Sequence, residues 1–195
     1  QGLAADGGLF VPEEMPKVDP DFIAGMRQLS YEERAARILG LFLTDYTSKE
    51  LAGCIARAYG GGKFDDVRIA PVHALKEFPV LELWHGPTSA FKDMALQLLP
   101  QLLQTALKKT GEDAEILILV ATSGDTGKAA LEGFADVDQI KILVFYPTGG
   151  VSKIQNLQMC TQKGANVRVV AVKGNFDDAQ NGVKEIFGNK AFGEK

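Results

Sequence analysis

The chain has 195 residues, 46% hydrophobic and 24% charged, ordinary proportions for a soluble globular protein of one large domain or two small ones. Two cysteines, Cys54 and Cys160, and two histidines, His73 and His85, exclude a disulfide scaffold and a multi-histidine metal centre, and no CxxC or Cys/His spacing supports zinc, so no metal is expected. A formal net charge of -4 argues against nucleic acid as a partner; no run reaches the ~20 apolar residues of a membrane span, and no secretory leader opens the chain, so the cytoplasm is the expected compartment.

Residues 1–75 read as a mainly helical and irregular region. DGGLFVPEEMP at 6–16 predicts a turn and a Pro-flanked loop. YEERAARILGLFL at 31–43 has helical apolar spacing with Ser30 as N-cap, and SKELAGCIARAY at 48–59 predicts a second helix. Gly60-Gly61-Gly62 reads as a helix stop rather than a phosphate-binding turn, since no strand precedes it. The cysteines, both in helix-like stretches, are expected to be packed thiols in a reducing compartment.

Residues 76–195 read as a parallel α/β domain. PVLELW at 79–84 is strand-like, and three apolar runs follow: EILILVA at 115–121, QIKILVFY at 139–146 and NVRVVAV at 166–172. All are rich in Ile, Leu and Val, as strands buried on both faces should be. Helix-like segments lie between and after the last three, which predicts a parallel sheet with right-handed crossover helices.

In open α/β sheets ligands bind beyond the carboxyl ends of the strands. Three such ends are polar or Gly-rich: HGPTSAFKD (85–93), ATSGDTGK (121–128) and PTGGVSK (147–153). All three are expected at one edge of the sheet. In the second, Gly124 and Gly127 would let the backbone approach a ligand, and the Ser and Thr hydroxyls and following helix N-terminus suit an anion. The plainer alternative is N-capping by Ser123 or Asp125. It is not a nucleotide P-loop, because Thr122 and Ala129 stand where that motif needs Gly and Ser/Thr.

In the first loop, Thr88 and Ser89 are read as N-capping a helix whose first turn holds Lys92. A cation there opposes the helix dipole. Either Lys92 reaches solvent or pairs with Asp93 or another acid, or its amine is neutral or bound as an imine, because a Schiff-base lysine needs a depressed pKa. Pro100, inside an otherwise helical run, is expected to kink it.

ELWHGPTSAFKD at 82–93 resembles the lysine-bearing segment of threonine synthases, pyridoxal-phosphate enzymes of fold type II. SGDTG at 123–127, DGGLFVP at 6–12, GVSKIQNLQM and KGNFDDAQ are similar to that family's segments in the same order. The resemblance covers nearly the whole chain and implies the small domain of that fold, pyridoxal 5'-phosphate as cofactor, and O-phospho-L-homoserine plus water as substrates giving L-threonine and phosphate. It implies Lys92 as the Schiff-base residue and acid/base, Asp125 beside the cofactor, and Thr88, Ser89, His85, Ser123, Gly124, Asp125 and Thr126 as substrate-binding. His73 is expected to be structural. Family members are longer and are expected to be monomers or homodimers, so the chain is expected to be an N-terminal portion that folds but is inactive alone. Asp125 stands where most of the wider class has Asn; Lys153 stands where the family often has Pro and receives no role. Two other readings stay open: another fold type II lyase such as a serine/threonine dehydratase, and a non-catalytic α/β anion-binding module.

Overall fold

A computed structural model describes Ala4 and residues 8–189. Asp6 and Gly7 of the opening motif and the terminal AFGEK therefore lie outside the described residues. Two compact units divide the chain, Gln1–Gly53 and Cys54–Lys195.

The first unit holds helices α1 (Pro20–Ala24) and α2 (Tyr31–Leu39) and the start of α3 (Ser48–Tyr59). Ser30 caps α2 as expected: its hydroxyl accepts from the Glu33 amide at 3.2 Å and the Glu33 carboxylate accepts from the Ser30 amide at 2.7 Å, a reciprocal capping box. The helix stops at Leu39 with Gly40 as its C-cap, short of the predicted Leu43. Glycine is a poor helix former, and the apolar residues beyond it form turns in which Leu41 bonds back to Ile38 and Leu43 to Leu39. The short α1 has no counterpart in the sequence reading; Asp19 caps it and Pro20 opens it. Thr47 and Glu50 form the same reciprocal cap on α3. That helix ends before Gly60, and Gly61 (φ 69°) and Gly62 (φ 74°) carry the chain away in left-handed conformation.

The second unit contains two sheets. β1 (Val72–Ala74) and β2 (Pro79–Leu81) pair antiparallel, Val72 opposite Leu81. PVLELW is thus part of a separate ribbon, not a strand at the edge of the parallel sheet. Its partner lies a few residues upstream, closed by Leu75 N–H to Phe78 O at 3.0 Å, and local pairing costs little loop-closure entropy. The parallel sheet has the order β3 (Ile116–Ala121), β4 (Ile140–Pro147), β5 (Val167–Val172). α6 (Asp125–Phe134) and α7 (Lys153–Cys160) are the crossovers, and α8 (Phe176–Gly188) follows β5.

The core lies on one face of this sheet. Ile140, Ile142, Val144 and Tyr146 of β4 pack with Ala130, Leu131 and Phe134 of α6, Met159 of α7 and Leu107 of α5 (Leu99–Thr110). On the opposite face α8 lies over Phe145 and Val172. Leu117 and Val170 of that face stay 46% and 40% exposed, so among the described residues the strands are covered more completely on one side than their apolar runs led us to expect. Pro100 divides the predicted long helix into α4 (Asp93–Leu96) and α5, sitting in the first turn of α5 where a missing N–H is harmless. α4 packs on α6, and Gly133 leaves room for the Leu96 carbonyl. Cys54 is a buried thiol that donates to Gln101 O at 3.3 Å; Cys160 is exposed, contrary to the expectation of two packed thiols.

Candidate active site

The loops after β3 and β4 open at the carboxyl edge of the parallel sheet as expected. The HGPTSAFKD loop follows the β1–β2 ribbon instead, and α4, which it leads into, packs against α6. No hydrogen bond among the described residues joins Lys92 to residues 123–126.

Lys92 occupies the N-cap position of α4, one residue before the helix, rather than its first turn. No side chain caps this helix, which overturns the expectation that Thr88 or Ser89 does so. The direction is reversed. Asp93, fully buried, accepts from the Thr88 amide at 2.8 Å and the Thr88 hydroxyl at 2.7 Å. Burial pushes the Asp93 carboxyl pKa up, and its Thr88 donors oppose that shift. Gly86 lies directly on this carboxyl: a Cβ there would fall 2.6 Å from Asp93 Oδ2. Ser89, exposed, turns the chain at φ 57° and bonds its amide to Gly86 O at 3.0 Å. With Asp93 committed to Thr88, Lys92 has no carboxylate partner among the described residues; its ammonium stands 5.0 Å from the Phe91 ring centroid. Beneath α4, buried Gln97 accepts from Lys63 at 3.3 Å. Burial lowers the Lys63 pKa, with Glu132 opposing.

His85 closes the other end of the loop. Nδ1 meets Asp65 Oδ1 at 2.5 Å and Nε2 meets Glu82 Oε2 at 2.7 Å. The hydrogen bonds to Glu82 and then Asp65 raise its pKa, so the imidazolium is favoured. Both ring nitrogens are engaged, and neither is open to a substrate in this arrangement. His73, on β1, stands 3.5 Å from the other oxygen of Glu82, so both histidines of the chain converge on one glutamate. Asp66 pairs with Arg68 at 2.7 Å, which holds its carboxyl well below the usual range.

The ATSGDTG turn is organised by Thr122, whose hydroxyl was expected among the donors to an anion and instead serves the turn itself. Its buried hydroxyl accepts from the amides of Gly124 at 3.0 Å and Gly127 at 2.9 Å and donates to Gly124 O at 3.1 Å. One hydroxyl has one proton and two lone pairs, so its capacity is filled. The glycines serve protein contacts. A Cβ on Gly127 would fall 2.9 Å from Thr122 Cβ, and one on Gly124 (φ 149°) would fall 2.5 Å from Gln155 Cδ. Neither Ser123 nor Asp125 caps α6. Ser123 is exposed and its side chain has no partner among the described residues. Asp125 Oδ1 accepts from Gln155 Nε2 at 2.8 Å, a contact between the first turns of α6 and α7 that sequence spacing does not announce. In the third loop, Ser152 and Gln155 form a capping box on α7.

The comparisons with known proteins bear on this arrangement. A family model described as the threonine synthase N terminus matches residues 1–59. A threonine synthase of Pseudomonas aeruginosa is 43% identical over 98% of this chain and 40% of the relative. One of Saccharomyces cerevisiae is 40% identical over 100% of this chain and 40% of the relative. The crystal structure of the PLP-bound threonine synthase from Brucella melitensis superposes with TM-score 0.88 at 39% identity, covering 98% of this chain and 41% of that one. The chain matches the N-terminal portion of threonine synthases. It spans about two-fifths of their length. The α/β layer and the helical region before it are similar to those of threonine synthase structures.

Proposed function

We propose that this chain is the lysine-bearing part of a pyridoxal-phosphate-dependent threonine synthase, a lyase converting O-phospho-L-homoserine and water to L-threonine and phosphate. The observation that carries the reading is threonine synthase likeness across nearly the full chain at about 40% identity. The functional division is kept at residues 1–75 and 76–195, the enzyme acts as a monomer or homodimer, and the cytoplasm is its compartment.

The residues present fit the cofactor. Lys92 is a partly buried amine with no carboxylate partner among the described residues, on a loop anchored at both ends. It would hold pyridoxal phosphate covalently and move protons to and from substrate carbons. The cofactor, when bound, supplies an electron sink. Ser123 and Thr126 offer hydroxyls to the substrate's anionic groups beside the N-terminus of α6. The Gly124 amide is already committed to Thr122, so Gly124 contributes shape. Asp125, which accepts from Gln155, would stand beside the cofactor. Ser89 offers an exposed hydroxyl to substrate. Thr88 and His85 act through the loop they hold.

The test is borohydride reduction of the intact enzyme with its cofactor, followed by peptide mapping. The pyridoxyl group is expected on Lys92; label on another lysine overturns the assignment. Phosphate release from O-phospho-L-homoserine separates this activity from that of a dehydratase.

A further inference from the structure

We infer that Gln155 is a positioning residue of the anion-binding turn, holding Asp125 in place from the first turn of α7. The inference rests on the reading of residues 123–126 as the seat of the substrate's anionic group. Three contacts fix the Gln155 side chain and its backbone. Oε1 accepts from the Ser152 amide at 2.9 Å. That bond assigns the orientation of the carboxamide, so the group facing Asp125 is the Nε2 donor, at 2.8 Å. The Gln155 amide donates to Ser152 Oγ at 3.2 Å. The carboxamide also lies against Gly124, where any Cβ would collide with it.

The physical consequence is electrostatic. Asp125 is an exposed carboxylate at the first residue of α6, beside the hydroxyls that would receive an anion. A negative group free to swing toward those hydroxyls would repel an anionic ligand more strongly as the separation falls. Gln155 fixes the carboxylate by a neutral donor and adds no charge of its own. A glutamate in its place would keep the capping box on α7, because a glutamate three residues after a capping serine serves as well as a glutamine does. It would lose only the donor to Asp125 and put two carboxylates face to face. The sequence signal is correspondingly weak, since a capping glutamine reads as local structure.

The experiment uses the intact enzyme. Gln155→Glu is expected to raise KM for O-phospho-L-homoserine about tenfold or more, the scale of losing a hydrogen bond to a charged group, with kcat within about threefold. The inhibition constant of inorganic phosphate should rise in parallel. Gln155→Met, which keeps the volume but not the donor, should weaken both by a smaller factor. In an Asp125→Asn background the new carboxamide can donate to the carboxylate that Gln155→Glu introduces, so that substitution should there cost less than about twofold. Unchanged KM and phosphate inhibition in both single variants of an active enzyme, or an equal penalty in the Asp125→Asn background, overturns the inference. A wild-type enzyme that neither releases phosphate from O-phospho-L-homoserine nor is inhibited by phosphate instead sinks the reading of the site. Thermal midpoints within a few degrees confirm that Gln155→Glu still folds; if it does not, the Gln155→Met variant and its phosphate inhibition decide.

Discussion

The Thr88 hydroxyl and amide both donate to the Asp93 carboxylate, at 2.7 and 2.8 Å. These two residues bracket the turn that delivers Lys92, and both are buried. The backbone at Lys92 is therefore set by the residue that follows it, Asp93, through Thr88. Removing the carboxylate would strand two Thr88 donors in the interior. Asp93→Ala is expected to destabilise the protein by about 2–4 kcal/mol, from an unmet group costing roughly 1–3 kcal/mol. Gly86→Ala should destabilise it too, because its methyl would press on the same carboxyl. Urea unfolding followed by circular dichroism measures both; midpoints equal to wild type would show that the turn is not held this way.

The second loop holds one hydroxyl engaged by the backbone, on Thr122, and one exposed, on Ser123. Thr122→Val keeps the volume but removes the acceptor for two amides, and should cost about 1–3 kcal/mol of stability. Ser123→Ala removes a hydroxyl with no protein partner among the described residues, and should leave stability within about 0.5 kcal/mol while weakening substrate use. Paired melting curves and KM values check this. A Ser123→Ala variant that melts early with unchanged kinetics would make the loop a cap and no more.

His85 gives the fold a pH slope. Its folded pKa lies above its ordinary value of about 6.5. The groups facing it are Asp65 and Glu82, with His73 and Arg68 beyond them on Glu82 and Asp66 nearby. A raised pKa means the folded state binds the proton more tightly. The contribution is therefore complete below about pH 6.5 and is lost as pH rises through the folded value. The unfolding midpoint should decline as pH rises above about 6.5, and His85→Gln should flatten that decline. An identical slope in the variant would assign it to other groups.

Phe134 is 1% exposed at the centre of the α6–β4 core. Phe134→Ala should cost about 3–5 kcal/mol, read from denaturant midpoints. A loss under about 1 kcal/mol would mean the site collapses to refill the space.

The three parallel strands, their crossovers and α3 were legible because long apolar runs and capping residues act locally. β2 was legible as a strand within PVLELW, but its pairing was not: β1, its three-residue partner, has no pattern of its own and is defined by the fold. The end of α2 was written in Gly40, but the apolar spacing beyond it imitated further helix. At the site, Lys92, Ser123 and Asp125 stand out by residue type and by resemblance. What holds them does not. Asp65 reaches His85 across 20 residues and Gln155 reaches Asp125 across 30, and such contacts leave no periodicity to read. Thr88 and Asp93 were each visible; which one served the other depended on the backbone path through Ser89.

The helix that begins just after Lys92 has four residues, Asp93–Leu96. A single turn in water does not outlast its nucleation cost. Its persistence is borrowed from α6, where Gly133 seats the Leu96 carbonyl, and from Tyr59, whose hydroxyl donates to Met94 O at 2.7 Å. Amide protons of Met94 to Gln97 should then exchange with solvent water only when that docking is released. The placement of Lys92 would appear and vanish in one cooperative step with the surrounding core, and hydrogen exchange would time that event without any cofactor or substrate present.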